Sequence, residues 1–260
     1  MSDQNKITLD PNIFTMLTEM QAVFKKFDIE YYFVGAFARD IQFKTKQSDS
    51  NFRKTDDVDL AVCIGNEDQY NGVLAALEAT GSFVRDEDII IKLHYRLGLE
   101  VDLIPFGAIE DEKRIVKFTK PKTFTLQMPG FAEAAAFIEE IKSGNLILKT
   151  CSIEGLVMLK LISWDDRPSR TQDITDIDNI IDAYFNWNSD IIYSSHSEVL
   201  EKYDINDLHF YLPMISGHII GLKMKLFLAD SSKLFQRIVG ILKKKQNPRW
   251  EAVLNGLMEK

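Results

Sequence analysis

The stretch from Arg53 to Val62, RKTDDVDLAV, places the strongest constraint on how this chain can fold. Asp57 and Asp59 lie two residues apart in a run of residues that favour β-structure. Because side chains alternate between the two faces of a strand, both carboxylates are predicted to project from one face of a sheet. The valine between them and the apolar residues after them indicate a buried strand. Carboxylates there cost free energy unless a cation meets them, and Mg²⁺ prefers oxygen ligands.

An Asp-x-Asp pair alone is more often part of an ordinary strand edge, but two further stretches favour a metal site. LGLEVDLIPFG places Asp102 in a second apolar strand. YYFVGAFARD is an apolar strand over Tyr31–Val34 that breaks at Gly35 and leads into a helix from Ala36. The N-terminus of a helix offers backbone N–H groups to phosphates, and carboxylates hold metal ions that bridge phosphates. Together the three stretches predict a site for a nucleoside triphosphate and its metal.

Composition is typical of a soluble globular protein. The 260 residues suffice for one large domain or two modest ones, and 45% are apolar and 27% charged. No apolar run approaches the roughly 18–20 residues that cross a bilayer, and the first residues lack the form of a signal peptide. We therefore expect a cytoplasmic protein with no membrane partner. Cys63 and Cys151 are expected to be buried and not disulfide-bonded.

The net charge of −8 argues against broad electrostatic coating of nucleic acid. It is compatible with a local basic surface or with a basic protein partner.

Hydrophobic periodicity predicts an α+β fold, with a mixed sheet and flanking helices over residues 1–150 and a helical domain over residues 151–260. We expect the helical domain to complete the active-site cleft. Helices are predicted over Pro11–Phe27, Ala36–Phe43, Glu67–Thr80 and Phe131–Lys142. Besides the Asp57 strand, strands are predicted over Tyr31–Val34, Phe83–Arg85, Ile89–Leu93, Leu99–Ile104, Ile115–Lys117, Phe124–Leu126 and Leu146–Leu148.

Charged residues in three further places are candidates for binding the triphosphate. Lys160 stands in a helix that is apolar nearly all round, where its ammonium either meets a phosphate or an acid or extends to the helix edge. Arg170 precedes Asp173 and Asp176, which share a helix face and could orient a cation or act as a base. The helix dipole alone also favours such acids in a first turn. Arg53 is either a phosphate ligand or a solvated loop residue.

These motifs resemble those of the polymerase-beta-like nucleotidyltransferase superfamily, with a glycine turn after a strand, an Asp-x-Asp strand and a third acid on a later strand. Within it, VGAFARD, RKTDDVDLAV and VDLIPFG resemble the AbiE-type nucleotidyltransferase toxins of type IV toxin–antitoxin systems. A helix bearing a lysine, an arginine-containing loop and Asp-x-x-Asp in the second half agree with that family. The resemblance covers residues 31–185 and leaves residues 186–260 without a motif.

The resemblance implies a polymerase-beta-like catalytic domain with Mg²⁺ held by Asp57, Asp59 and Asp102. Lys160 and Asp176 match the lysine and aspartate in the second half that such toxins need for activity. The nucleotide is then expected to contact Gly35, Ala36, Arg39, Arg53, Lys160, Arg170 and Asp173. Ala36 departs from the superfamily, which has serine after the glycine, so one hydroxyl contact to a phosphate is missing.

The implied reaction transfers a nucleoside monophosphate from an NTP to an acceptor and releases pyrophosphate, with two Mg²⁺ ions about 3.5–4 Å apart. The acceptor is left open between tRNA, a protein and a small molecule such as an aminoglycoside, and a cognate antitoxin is an implied partner. A rival hypothesis is a catalytically silent module that binds a nucleotide or a partner. Ala36 favours this rival, whereas three clustered acids argue against it.

Overall fold

The computed structural model describes residues 6–46, 57–119 and 123–259. The chain divides into two compact units, Met1–Ser152 and Ile153–Lys260. The first unit combines a mixed sheet with flanking helices, and the second is helical. The predicted α+β class is therefore confirmed.

The first unit is built on a seven-stranded sheet. In chain order its elements are α1 (Pro11–Lys26), β1 (Tyr31–Val34), α2 (Gly35–Thr45), β2 (Asp57–Cys63), α3 (Glu67–Glu78), β3 (Phe83–Arg85), β4 (Lys92–Tyr95), β5 (Leu99–Phe106), β6 (Ile115–Phe118), β7 (Phe124–Gln127), α4 (Phe131–Ala135), β8 (Ile138–Ser143) and β9 (Leu146–Cys151). The strand order of the large sheet is β3-β4-β5-β2-β1-β9-β8, and β6 and β7 form a separate hairpin.

Strand β2 lies at the centre of this sheet, between β1 and β5. It runs antiparallel to β1 and parallel to β5. Val58, Leu60, Ala61 and Val62 are all fully buried, which is what the apolar run after Asp57 predicts. Central position and burial hold the β2 backbone in a fixed register with both neighbours, so the side chains of its acids have defined cross-strand partners.

The helix predicted over Phe131–Lys142 begins at Phe131 as expected, but the prediction is wrong beyond Ala135. Helix α4 ends at Ala135, and the chain continues as strand β8, which pairs antiparallel with β9 so that Ser143 lies opposite Leu146. The two residues between them are Gly144, with φ +59°, and Asn145. A glycine at positive φ in a two-residue connection is typical of a tight β-hairpin, and this turn overrides the local preference for helix.

Strand β4 covers Lys92–Tyr95, whereas the sequence predicts Ile89–Leu93. The side chain of Asp86 explains the shift, because its Oδ1 accepts hydrogen bonds of 2.8 Å from the backbone N–H groups of Asp88 and Ile89. These bonds close a turn over residues that would otherwise extend the strand.

The cysteines are both free of disulfides, as expected. Cys151 is buried, but Cys63 is exposed, so its predicted burial is wrong. Cys63 is the last residue of β2, where the strand leaves the sheet interior.

The second unit contains the helices α5 (Ile153–Asp166), α6 (Thr171–Ser195), α7 (Ser197–Leu200), α8 (Tyr211–Phe227), α9 (Ser232–Lys243) and α10 (Pro248–Met258). Glycines allow α8 and α10 to approach closely, since a Cβ at Gly256 would lie 1.9 Å from the carbonyl oxygen of His218. Among the helices that the structure describes, none combines the length and the apolar character required to span a membrane.

Candidate active site

Four carboxylates share one face of the sheet in the first unit. In the parallel pairing of β2 and β5, Asp57 lies opposite Glu100, and Asp59 lies opposite Asp102. Because each strand alternates its faces with period two, all four side chains project to the same side. We call Asp57, Asp59, Glu100 and Asp102 the acid face. The sequence hypothesis contains three of these residues and omits Glu100.

Asp59 lies directly against Gly35. Strand β1 pairs antiparallel with β2 so that Val34 is opposite Asp59. A Cβ at Gly35 would lie 2.0 Å from Asp59 Oδ2, and Gly35 has φ +66°. Both the space and the backbone conformation therefore require glycine here.

Helix α2 begins at this same glycine. It spans Gly35–Thr45, and its N-cap residue Val34 makes no side-chain capping bond. The first N–H groups of an α-helix have no acceptor within the helix, and its N-terminus carries partial positive charge. Ala36 lies in this first turn. The acid face consequently adjoins a group of backbone donors suited to phosphate oxygens.

A lysine that the sequence hypothesis did not include stands beside the acid face. Strand β4 runs antiparallel to β5 and places Lys92 opposite Asp102 and His94 opposite Glu100. The Lys92 ammonium forms an ion pair with Glu100 Oε2, and its Nζ lies 3.7 Å from Asp102 Oδ1. Desolvation opposes the charge on Lys92, but the hydrogen bond to Glu100 and the charge of Asp102 outweigh it and raise the lysine pKa.

Asp102 carries an oxygen that lacks a hydrogen bond. Its buried Oδ1 has no hydrogen-bond partner among the described residues. Desolvation raises the pKa of Asp102, the charge of Lys92 acts against that rise, and the charges of Asp57 and Glu100 add to it. A buried acceptor without a donor is costly in a resting protein and useful in one that binds a cation or takes up a proton.

The first unit therefore offers part of a metal site. Within residues 6–46, 57–119 and 123–259, no three His, Cys, Asp or Glu side chains converge as a complete set of metal ligands. The acid face does supply adjacent oxygen donors on β2 and β5, including Asp102 Oδ1, which accepts no hydrogen bond from the described residues. Mg²⁺ is usually bound by one or two carboxylates, with water and substrate phosphates completing its shell. The residues present fit an ion of that kind.

His94 extends the charged surface beyond the acid face. Its Nε2 lies 2.8 Å from Asp86 Oδ2, and its Nδ1 lies 3.7 Å from Glu100 Oε1. The hydrogen bond from His94, together with those from the Asp88 and Ile89 backbone, lowers the pKa of Asp86 to about 2.

The second unit contains a separate cluster of charged residues, which we call the lysine cluster: Lys160, Ser163, Arg170, Asp173 and Asp176. Lys160 is 8% exposed, and its Nζ donates a hydrogen bond of 2.6 Å to Asp176 Oδ2 and lies 3.6 Å from Asp173 Oδ1. Asp173, which is buried, accepts a 3.0 Å hydrogen bond from Ser163 Oγ and lies 3.3 Å from Arg170 Nε.

Of the two alternatives for Lys160, the structure has the paired one. The sequence spacing predicts that Asp173 and Asp176 share a face, but it omits Ser163. This serine follows Lys160 by three residues on α5 and so lies on the same helix face, which is the signal that could have found it.

The remaining predicted nucleotide ligands are distributed as follows. Arg39 is buried on α2, and its Nε and Nη2 lie 3.0 and 2.7 Å from Asp40 Oδ1. Arg53 lies outside the described residues.

No family model matches the chain, and no curated protein sequence matches it. The solved structures that it partly resembles include the antibiotic-resistance factor ANT(2'')-Ia in solution, with 14% identity over 75% of this chain and 97% of that one and a TM-score of 0.43. The crystal structure of ANT(2'')-Ia with adenylyl-2''-tobramycin gives 13% identity over 71% and 96% of the two chains and a TM-score of 0.41. An antigenic nucleotidyltransferase-like protein from Paracoccidioides brasiliensis gives 17% identity over 77% and 91%, and a TM-score of 0.40. These are loose likenesses.

Proposed function

We propose that the protein is a metal-dependent nucleotidyltransferase that moves a nucleoside monophosphate from an NTP to an acceptor. The observation that carries this proposal is the contact between Asp59 and the start of α2, where a Cβ at Gly35 would lie 2.0 Å from Asp59 Oδ2. A triphosphate with its metal ion needs anion-binding and cation-binding groups side by side. The helix N-terminus supplies the first and the acid face supplies the second.

Each residue of this site has a chemical role. The backbone N–H groups at Gly35 and Ala36 bind phosphate oxygens, and Ala36 confines these contacts to the main chain because it has no hydroxyl. Mg²⁺, bound by Asp57, Asp59 and Asp102, would neutralise the charge of the triphosphate and lower the pKa of an acceptor hydroxyl. Positioning and neutralisation supply most of the catalysis in reactions of this kind.

Asp102 is suited to receive the proton of the acceptor. Burial raises its pKa, and the proton would go to Oδ2, because Oδ1 is the oxygen left open to the metal ion. The acceptor oxygen then forms a bond to the α-phosphorus, the bond between that phosphorus and the bridging oxygen breaks, and pyrophosphate leaves with the bonding electrons.

The finer assignment rests on the sequence resemblance alone. It supports a toxin of a type IV system with a cognate antitoxin, and an acceptor that is tRNA or protein. In that assignment Lys160 and Asp176 contribute to activity, and Arg39, Arg53, Arg170 and Asp173 contribute to nucleotide binding. A small-molecule acceptor would use the same acids, so the acceptor must be identified by experiment.

The test is transfer of label from each of the four α-labelled NTPs in Mg²⁺, with total tRNA, a cell protein extract or an aminoglycoside mixture as acceptor. We expect label on one acceptor with the wild-type protein and none with the Asp57→Ala/Asp59→Ala variant. Glu87→Ala serves as a matched control, since Glu87 is an exposed acid of the same unit outside the acid face.

Three results separate the hypotheses. Label on tRNA or protein supports the toxin-like assignment, and label on an aminoglycoside supports the small-molecule alternative. Metal-dependent NTP binding without any transfer would identify a binding module. The absence of both transfer and NTP binding would contradict the proposal.

A further inference from the structure

We propose that Glu100 is a positioning residue that holds the Lys92 ammonium away from Asp102 and so keeps the Asp102 Oδ1 available for a divalent cation. The inference rests on the proposed function, because it assigns a role toward the metal ion of that same site. It concerns two residues that the sequence hypothesis does not assign to the site.

Strand register creates the competition between the two carboxylates. Lys92 on β4 lies opposite Asp102, and Glu100 precedes Asp102 by two residues on β5, so both acids flank the lysine on the same face. The lysine side chain is 16% exposed, compared with 39% for Glu100 and 27% for Asp102. The aliphatic part of the lysine side chain is therefore mostly buried, and its ammonium lies where it can pair with either acid.

In the structure the Lys92 ammonium pairs with Glu100. Its hydrogen bond goes to Glu100 Oε2, whereas Asp102 Oδ1 is 3.7 Å away and has no hydrogen-bond partner among the described residues. At 3.7 Å the lysine still stabilises the ionised form of Asp102 through charge, but it occupies no lone pair of that oxygen. No donor among the described residues therefore occupies this oxygen, which leaves its lone pairs for a metal ion.

Removal of Glu100 should reverse this arrangement. Without its main acceptor, the Lys92 ammonium is expected to move onto Asp102 and compete there with a divalent cation. Removal of Lys92 should have the opposite effect, since it deletes a positive charge next to the site. Substitution of Glu100 and substitution of Lys92 are thus expected to change metal affinity in opposite directions. If the ion pair were purely structural, the two substitutions would change metal affinity in the same direction.

The experiment measures Mn²⁺ binding to the full-length protein from the electron paramagnetic resonance signal of free Mn²⁺, for wild type, Glu100→Gln, Lys92→Met and the double variant. We expect Glu100→Gln to weaken Mn²⁺ binding roughly three- to tenfold and Lys92→Met to strengthen it by a similar factor. If Glu100 acts through the lysine, Glu100→Gln should change affinity by less than about twofold in the Lys92→Met background.

An activity readout and a control sharpen the result. In transfer assays, Glu100→Gln should raise the Mg²⁺ concentration for half-maximal rate. Glu78→Gln is the control, because Glu78 forms an ion pair with Arg85 at 2.8 Å in the same unit, away from the acid face. Its Mn²⁺ affinity should equal that of wild type.

Two outcomes would overturn the inference and are distinguishable from each other. A Glu100→Gln effect of the same size with and without Lys92 would show that Glu100 acts through its own charge, and the metal-dependent function would stand. Wild-type protein that binds no Mn²⁺ would overturn the proposed function and the inference together.

Discussion

The acid face and the lysine cluster contain similar residues in different electrostatic states. In the lysine cluster, Asp173 and Asp176 face the cations Lys160 and Arg170, and the two Lys160 contacts lie at 2.6 and 3.6 Å. On the acid face, four carboxylates crowd one side of the sheet, and Asp102 retains a buried oxygen with no described donor. In the lysine cluster, the carboxylates and the cations therefore neutralise one another. On the acid face, the charge of Lys92 is shared between Glu100 and Asp102, and the raised pKa of Asp102 reflects incomplete compensation of its burial.

The lysine cluster is therefore expected to contribute to stability, and the acid face is expected to contribute to function. A paired buried cluster is expected to stabilise its unit, because loss of one partner leaves an uncompensated charge. A carboxylate whose pKa is raised by burial, as that of Asp102 is, is expected to destabilise the folded protein when it is ionised. Substitutions in the two regions should therefore change stability in opposite directions.

The largest effect is expected at Gly35, where the acid face meets α2. Gly35→Ala would place a Cβ 2.0 Å from Asp59 Oδ2 in a backbone with φ +66°, so either Asp59 or the helix start must move. We expect nucleotidyl transfer to fall at least about 100-fold, because displacement of a reacting group by about 1 Å is enough for such a loss.

Gly81→Ala is the matched control for Gly35→Ala. Gly81 has φ +75°, but a Cβ there would contact nothing within 4 Å. The substitution should cost about 1–2 kcal/mol of stability through backbone strain and leave transfer unchanged. Equal activity losses in the two variants would show that strain, and not the contact with Asp59, is responsible.

The next effect concerns the lysine cluster. Lys160→Met keeps the apolar stem but removes the 2.6 Å donor to Asp176 and one of the two cations that face buried Asp173. We expect the second unit to lose about 2–3 kcal/mol of stability. The three tryptophans Trp164, Trp187 and Trp250 all belong to this unit, so their fluorescence in a urea titration reports its unfolding.

Lys233→Met is the corresponding surface control. Lys233 is exposed on α9, and its replacement should change the same transition by less than about 0.5 kcal/mol. If Lys160→Met were as stable as this control, the ion pairs of the lysine cluster would not stabilise the second unit. The proposed difference between the lysine cluster and the acid face would then be contradicted.

Asp102→Asn should change stability in the opposite direction. Because desolvation raises the pKa of Asp102 in the folded protein, the neutral carboxyl is favoured there and ionisation destabilises the fold as pH rises through that pKa. The substitution removes this penalty, so at pH 7 we expect a gain on the order of 0.5 kcal/mol together with loss of transfer. The gain should vanish at acidic pH, where the wild-type carboxyl is protonated in both states.

The measurement for Asp102→Asn is amide hydrogen exchange of peptides that cover β2 and β5, at pH 7 and in the acidic range, since the first unit contains no tryptophan. Slower exchange than wild type at pH 7 is the expected result. Faster exchange at pH 7 would indicate that Asp102 contributes more through its attraction to Lys92 than it costs through burial.

The sequence was sufficient for features that depend on local alternation. Strand period two places Asp57 and Asp59 on one face without any knowledge of the neighbouring strands. The glycine between an apolar strand and a helix was likewise recognisable from YYFVGAFARD. These local patterns also indicated strands β1 and β3 with the bounds found in the structure.

Features that depend on register between distant strands were not predictable in this way. Lys92 and Glu100 are polar positions in alternating strands like many others. Only the pairing of β4 with β5 places Lys92 opposite Asp102 and within reach of an ion pair with Glu100. The helix predicted after Phe131 failed for a related reason. Its alanine-rich start favours helix, and the hairpin that replaces its second half depends on β8 pairing with β9.

The smallest expected effect tests whether opposite pKa shifts coexist within the first unit. The hydrogen bond from His94 and the backbone bonds lower the pKa of Asp86 to about 2, whereas burial raises that of Asp102. A depressed pKa contributes stability above the ordinary carboxyl range, and that contribution is lost as pH falls toward 2. In His94→Gln we expect the Asp86 pKa to rise toward the ordinary value near about 3.9, as measured by carbon-13 NMR of its carboxyl group. An unchanged pKa would assign the whole shift to the backbone N–H groups of Asp88 and Ile89. His94 would then have no effect on the pKa of Asp86, and the interacting charged residues beside the acid face would end at Glu100.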